Sequence, residues 1–100
     1  MYDMDNRRKV ADLAKAAPDT WEMFRAFEKA TIADGAIPKK YKELIALGVS
    51  LTTQCPYSLE LHRQAAIAAG ATTEELAETV FVAALMRAGA AVMHGTHLMP

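Results

Sequence analysis

The chain of 100 residues is 52% hydrophobic and 23% charged, with a formal net charge of −1 and one cysteine. This length predicts a single domain, residues 1–100, and the hydrophobic content excludes a disordered chain. One cysteine excludes a scaffold held by internal disulfides, and the balanced charge argues against nucleic-acid binding. Neither a signal peptide nor an uncharged run of about 18 residues is visible, so a cytoplasmic protein with no membrane span is expected.

The hydrophobic periodicity predicts an all-α domain, a small bundle of about five helices. The first helix is expected to follow Asn6, over residues 7–17, and to end before Pro18. The second is expected over residues 21–33, behind a cap formed by Asp19 or Thr20.

Proline at the first turn predicts the start of the next two helices, over residues 38–52 and 56–70. Thr72 and Glu75 have the spacing of a capping box, in which each side chain accepts a hydrogen bond from the other residue's backbone. This box predicts a fifth helix that ends near Met93.

The fifth predicted helix carries the strongest packing signal. Between residues 80 and 93 its only charge is Arg87, and apolar residues fall on every face. A helix that is apolar all round has to be buried all round, and so short a chain has few helices with which to surround it. Burial between the subunits of a homo-oligomer is therefore expected, and the alternative is a monomer with this helix at its centre. Arg87 then needs an anionic partner, for which Glu43 is one candidate.

The most informative segment places a cysteine directly before a helix that begins with proline. Unpaired amides and the helix dipole at such an N-terminus favour a thiolate over a thiol, so Cys55 is a candidate nucleophile. Ser58 and His62 follow at i+3 and i+7 and lie on the same helix face. Each residue also has an ordinary explanation: Cys55 as a small buried hydrophobe, Ser58 as a first-turn residue, and His62 as the partner of Glu60 or Glu78.

Glu43 has apolar neighbours, although by itself it could form a surface ion pair with Lys39 or Lys40. Taken together, Glu43, Cys55, position 58 and His62 resemble the E-x11-C-x2-C-x3-H signature of the alkylhydroperoxidase D-like branch of the carboxymuconolactone decarboxylase family. Every position is in register, and the difference is serine at 58 in place of the second cysteine. The resemblance covers about residues 20–98.

The resemblance implies an all-helical trimer or hexamer that acts as an antioxidant, peroxiredoxin-type oxidoreductase on peroxides or disulfides. In that chemistry the second cysteine attacks the peroxide, the first resolves the sulfenic acid as a disulfide, and an external dithiol or protein reductant reduces it. No cofactor is implied. Carried over by position, Glu43 and His62 form a proton relay, Cys55 is the resolving thiol, and Ser58 occupies the attacking position.

Ser58 departs from this pattern in a way that bears on activity. A serine hydroxyl is hardly ionised at neutral pH and has no redox chemistry with peroxide, so activity is expected to be reduced or absent. Either the serine is natural, which leaves Cys55 as a single-thiol nucleophile or the site without catalysis, or it is an engineered, nearly isosteric replacement of cysteine. Two other functions remain open: decarboxylation of a carboxymuconolactone-like substrate, and a non-catalytic ligand-binding or assembly module.

Other side chains carry weaker signals. His94 with His97, or Cys55 with His62, offer metal-ligand types but not the three or four converging ligands of a zinc site, so no metal is expected. Several large side chains are candidates either for an apolar pocket near the site or for plain core: Trp21, Phe24, Phe27, Tyr57 and Met86.

Overall fold

A computed structural model describes residues 3–100, and within this range all regular structure is helical. The five α-helices are α1 (Val10–Ala16), α2 (Pro18–Ile32), α3 (Lys39–Thr53), α4 (Pro56–Ala68) and α5 (Thr73–Gly95). Short 3₁₀ helices flank them at Met4–Lys9 and Thr96–Leu98. The prediction of an all-α domain of about five helices is confirmed.

The first two helices begin differently from the prediction. The segment Met4–Lys9 is a 3₁₀ helix, so α1 begins only at Val10. In α2 the predicted cap at Asp19 or Thr20 is wrong, because Pro18 is already the first helical residue. Proline at this position lacks the N–H that a cap would satisfy, and its fixed φ already suits a helix. The helix can therefore begin there without a side-chain cap.

The predicted capping box at the start of α5 is confirmed. The Glu75 N–H donates to the Thr72 hydroxyl at 3.1 Å, and the Thr72 N–H donates to the Glu75 carboxylate at 2.9 Å. Glu75 also forms an ion pair of 2.9 Å with Lys40. The same carboxylate thus caps α5 and links it to the first turn of α3.

Helix α3 packs against both α4 and α5 and forms the centre of the chain. The buried apolar side chains come one from each of these helices, Leu47, Ala66 and Ala83. Between α3 and α4, Gln54 takes the left-handed conformation (φ 56°) and closes α3. This tight connection turns α4 back along α3, so that polar groups in the two helices can meet.

Helix α5 is not buried within the chain. Ala83 alone among its residues is buried, while its large apolar side chains remain exposed: Val80, Phe81, Val82, Leu85, Met86, Val92 and Met93. The alternative that this helix lies at the centre of the chain is therefore wrong, and the homo-oligomer stays a prediction. By length and composition alone, Thr73–Leu98 could also cross a membrane, with 6% of its most apolar window buried in the chain. The expected absence of a membrane span stays a prediction.

Candidate active site

Glu43 is the largest fully buried side chain of the described residues, with 2% of its surface exposed. Its Oε1 accepts a hydrogen bond from Lys39 Nζ at 2.7 Å, and its Oε2 accepts one from His62 Nδ1 at 2.6 Å. A buried carboxylate is costly unless it is paired, and here each oxygen has its own donor. Burial raises the pKa of Glu43, but the hydrogen bonds from Lys39 and His62 together hold that pKa below its ordinary value.

The contact with Glu43 orients the imidazole of His62. Because Nδ1–H donates to the carboxylate, a neutral ring carries its lone pair on Nε2, where it can accept a proton. The alternative partners of His62 are not used: Glu60 accepts hydrogen bonds from Arg63 and Gln64, and Glu78 lies on α5 beside the groove between α3 and α5. His62 thus has the arrangement of an oriented base.

Cys55 is the N-cap residue of α4, directly before Pro56. Its Sγ lies 3.2 Å from the Ser58 hydroxyl oxygen. That hydroxyl, followed by the N–H groups of Ser58 and Tyr57, lowers the pKa of the Cys55 thiol against an opposing effect of burial. The geometry therefore stabilises the thiolate form of Cys55 relative to an ordinary thiol, as expected at a helix N-terminus.

The structure brings the four predicted site residues together as two neighbouring pairs. Cys55 contacts Ser58 in the first turn of α4, and Glu43 contacts His62 between α3 and α4. His62 follows Ser58 by four residues, so both lie on one face of the helix. The resulting arrangement can stabilise a thiolate and accept a proton one helical turn away.

Lys39 completes this arrangement. The sequence offered both Lys39 and Lys40 as partners of Glu43, as halves of a surface ion pair. Lys39 makes the contact, and Lys40 pairs with Glu75 instead. The signal that could have identified Lys39 is its spacing of four residues before Glu43, whereas the burial of Glu43 depends on the packing of α4.

Arg87 does not pair with Glu43, which corrects that suggestion. Its Nη1 donates to the Thr52 carbonyl oxygen at 3.1 Å, at the C-terminal end of α3. Both oxygens of Glu43 are already occupied, and the last carbonyls of a helix attract positive charge. Arg87 therefore links α5 to the end of α3, away from the Glu43–His62 pair.

A cavity of about 420 Å³ opens between α2 and the α3–α4 pair. Lys39, Glu43 and His62 are among its polar lining residues, and its apolar walls include Phe24 and Phe27. Neither Cys55 nor Ser58 lines it. Phe24 and Phe27 thus line a pocket, as the sequence suggested. Trp21 packs on Phe24, with ring centroids 5.7 Å apart. Met86 lines a separate groove between α3 and α5. A ligand in the cavity would contact the imidazole rather than the thiol.

Histidine and cysteine side chains elsewhere do not form a metal site in the described part of the chain. Within residues 3–100, no three His, Cys, Asp or Glu side chains come together as a metal site would require. The rings of His94, at the end of α5, and His97, in the C-terminal 3₁₀ helix, contact each other edge to face with centroids 6.1 Å apart.

Comparison with known sequences shows similarity to one protein family. The model of the carboxymuconolactone decarboxylase family matches residues 18–99. "Uncharacterized protein 4 in cox locus" of Paracoccus denitrificans is 42% identical over 85 residues, which cover 85% of this chain and 77% of that protein. An uncharacterised protein of Cupriavidus necator is 30% identical over 89 residues, 89% of this chain and 79% of that protein.

Solved structures show the same similarity. A carboxymuconolactone decarboxylase family protein from Legionella pneumophila, crystallised in its apo form, superposes with a TM-score of 0.79 at 35% identity, covering 92% of this chain and 82% of its own. A protein from Methanobacterium thermoautotrophicum superposes with a TM-score of 0.82 at 32% identity, covering 88% of this chain and 99% of its own.

Proposed function

The chain belongs to the carboxymuconolactone decarboxylase family, and we propose that it is a thiol oxidoreductase of the alkylhydroperoxidase D-like kind. The observation that supports this is the arrangement along α4. A thiol of lowered pKa stands at the helix N-terminus, and the buried Glu43–His62 pair lies on the same face beyond it. Ser58, in the attacking position, reduces or abolishes turnover of the chain as it stands.

With a single thiol, one route remains for a hydroperoxide. The Cys55 thiolate attacks the terminal peroxide oxygen, the O–O bond breaks, and the leaving alkoxide takes up a proton as the sulfur becomes a sulfenic acid. One thiolate of an external dithiol then displaces hydroxide, which leaves as water, and forms a mixed disulfide. Its second thiolate displaces Cys55 and closes the oxidised dithiol. A disulfide substrate would enter at the exchange step.

The thiolate character of Cys55 can be measured by its alkylation rate with iodoacetamide as a function of pH. We expect the rate to be half-maximal below the ordinary thiol pKa of about 8.5, because the Ser58 hydroxyl and the helix amides stabilise the charge. Ser58→Ala removes the largest of these contacts and should move the midpoint upward. Thr96→Ala, which removes a hydroxyl at the far end of the chain, should leave it unchanged. A midpoint at the ordinary value in the unchanged protein would contradict the proposal and favour a non-catalytic module.

We also propose that the chain assembles as a homo-oligomer, a trimer or hexamer, through the exposed face of α5. Its radius of gyration is 16.7 Å, against about 13 Å for a compact domain of this length. Its accessible surface is 7796 Å², against roughly 5,600 Å² expected for a monomer of this mass. The excess, about 2,200 Å², is well above the roughly 800 Å² that each partner buries in a standard protein interface. A second copy of the same apolar face would cover it.

Assembly is tested by light scattering on the purified protein in the absence of detergent. We expect a mass that is a multiple of 10.9 kDa. Phe81, Leu85 and Val92 lie on one face of α5 and are all exposed. Leu85→Glu places a charge in the middle of this face and should reduce the mass, whereas the volume-conserving Leu85→Met should not. A monomeric unchanged protein, or one that stays in solution only with detergent, would overturn the assignment of this face to a second copy.

A further inference from the structure

We propose that Lys39 is a positioning residue of the site: its ammonium balances the charge of Glu43 and thereby opposes protonation of His62, so that the imidazole can accept a proton. The proposal rests on the proposed function and deepens it, since it assigns a role to a residue outside the Glu43, Cys55, position 58 and His62 pattern.

Each carboxylate oxygen of Glu43 binds a different side chain. Oε1 is 2.7 Å from Lys39 Nζ and Oε2 is 2.6 Å from His62 Nδ1. The carboxylate is 2% exposed, the Lys39 side chain 41% and the His62 side chain 24%. Lys39 therefore reaches from solvent onto a buried charge whose other side faces the imidazole.

The start of α3 holds Lys39 in place. Its backbone N–H donates to Asp34 Oδ1 at 2.6 Å. The neighbouring Lys42 Nζ donates to the carbonyl oxygens of Thr31, in the last turn of α2, and of Ala33, its C-cap, at 2.8 and 2.7 Å. Because the first turn of α3 is fixed on both sides, the Lys39 side chain starts from a defined position one turn before Glu43.

The charge balance explains why a cation belongs there. A carboxylate whose only partner is an imidazole favours the imidazolium form, which has no lone pair left to accept a proton. An ammonium on the opposite oxygen compensates the carboxylate and disfavours a second positive charge nearby. A general base has to be neutral at the working pH, so the Lys39 charge keeps His62 in its useful form.

The other charged side chains near His62, on the surrounding helices, form contacts with groups other than Glu43 and His62. Glu28 of α2, which borders the same cavity, pairs with Arg25 at 3.0 Å, and Glu60 of α4 pairs with Arg63 at 2.8 Å. In the N-terminal 3₁₀ helix, Arg7 Nε donates to a backbone carbonyl. Lys39 is thus the cation that directly contacts the carboxylate facing His62.

The test is the protonation of His62, followed by NMR of its imidazole against pH in Lys39→Met. We expect the fraction of imidazolium at neutral pH to rise, with the titration midpoint shifted upward by about one pH unit, a tenfold change in proton affinity. The signals of His94 and His97 in the same spectra serve as controls for effects on the whole protein, and their pH dependence should be the same in the variant and in the unchanged protein. Lys39→Arg keeps the charge and should restore the midpoint, while Lys39→Gln repeats the neutral substitution in case the methionine variant folds poorly.

An unchanged or lowered His62 midpoint in both neutral variants would overturn the role of Lys39. The measurement needs no turnover, so it separates this proposal from the proposed function. A raised midpoint combined with no thiol-dependent turnover would support the role of Lys39 and count against the oxidoreductase assignment. A structural role alone would lower the stability of both neutral variants without moving the His62 midpoint, and that result would also overturn the proposal.

Discussion

Ser58→Cys is expected to raise dithiol-dependent consumption of an alkyl hydroperoxide on the order of 100-fold or more above the unchanged protein. The substitution places a second thiol in the first turn of α4, beside Cys55 and on the same face as His62. A thiol at this point is ionisable near neutral pH, whereas the serine hydroxyl is not. The measurement is the loss of hydroperoxide in the presence of excess dithiol.

The gain has a defined chemical route. The thiolate introduced at position 58 attacks the terminal peroxide oxygen, the O–O bond breaks, and the alkoxide leaves with a proton. Cys55 then attacks the resulting sulfenic acid, water leaves, and an internal disulfide forms for the dithiol to reduce. The Cys55 sulfur already lies 3.2 Å from the Ser58 oxygen, so a shift of about an ångström reaches the disulfide distance of about 2.05 Å.

Controls for this gain lie at the same two positions. Ser58→Ala changes the same residue without adding sulfur and should show no gain. Cys55→Ala combined with Ser58→Cys removes the resolving thiol and should abolish formation of the internal disulfide. If Ser58→Cys consumes no hydroperoxide and reduces no disulfide, the oxidoreductase assignment is wrong. Turnover of a carboxylated lactone that survives Cys55→Ala would support decarboxylation in its place.

His62→Ala in the Ser58→Cys background is expected to lower peroxide turnover by about 10² to 10⁴, the usual contribution of a general acid or base. The reason is that the imidazole, oriented by Glu43, is the group placed to take the thiol proton and return it to the leaving alkoxide. His94→Ala in the same background removes a histidine outside the site and should leave turnover unchanged. The readout is again hydroperoxide consumption, with kcat and KM determined separately.

Removal of His62 also leaves one oxygen of the buried Glu43 without its donor, so the folded fraction of each variant has to be measured alongside activity. His62→Gln retains a donor of similar reach and serves as the second variant if His62→Ala folds poorly. Undiminished turnover in either folded variant would rule out a proton relay through this residue. The pKa of the introduced thiol, read from the pH profile, should rise in both.

Local features of this chain could be predicted because their partners lie within one helical turn. The Thr72–Glu75 capping box and the start of α4 at Pro56 depend only on spacing along the backbone, and Pro38 is the residue directly before α3. Cys55 and Ser58 meet for the same reason. Where two local signals competed, at Pro18 and the cap residues after it, the proline determined the start of α2 and the predicted cap was wrong.

The spacing of residues along the chain did not indicate which of several possible contacts between helices would form. His62 had Glu60 and Glu78 as plausible partners nearer in sequence, yet it pairs with Glu43 on another helix. Glu43 in turn had two lysines at helical spacing, of which only Lys39 points to it. Such choices depend on which helix faces meet, and that depends on packing throughout α3 and α4.

The one cysteine, its position before Pro56 and the pattern from Glu43 to His62 were determined by the sequence itself, because they are matters of residue type and order. Only the tertiary structure decided that Glu43 is buried, that Lys39 and His62 share its carboxylate, and that Arg87 binds the end of α3. It also decided that α5 keeps its apolar faces exposed in the single chain. Burial and long-range pairing depend on how the helices pack against one another, and the spacing of residues along the chain does not determine that packing.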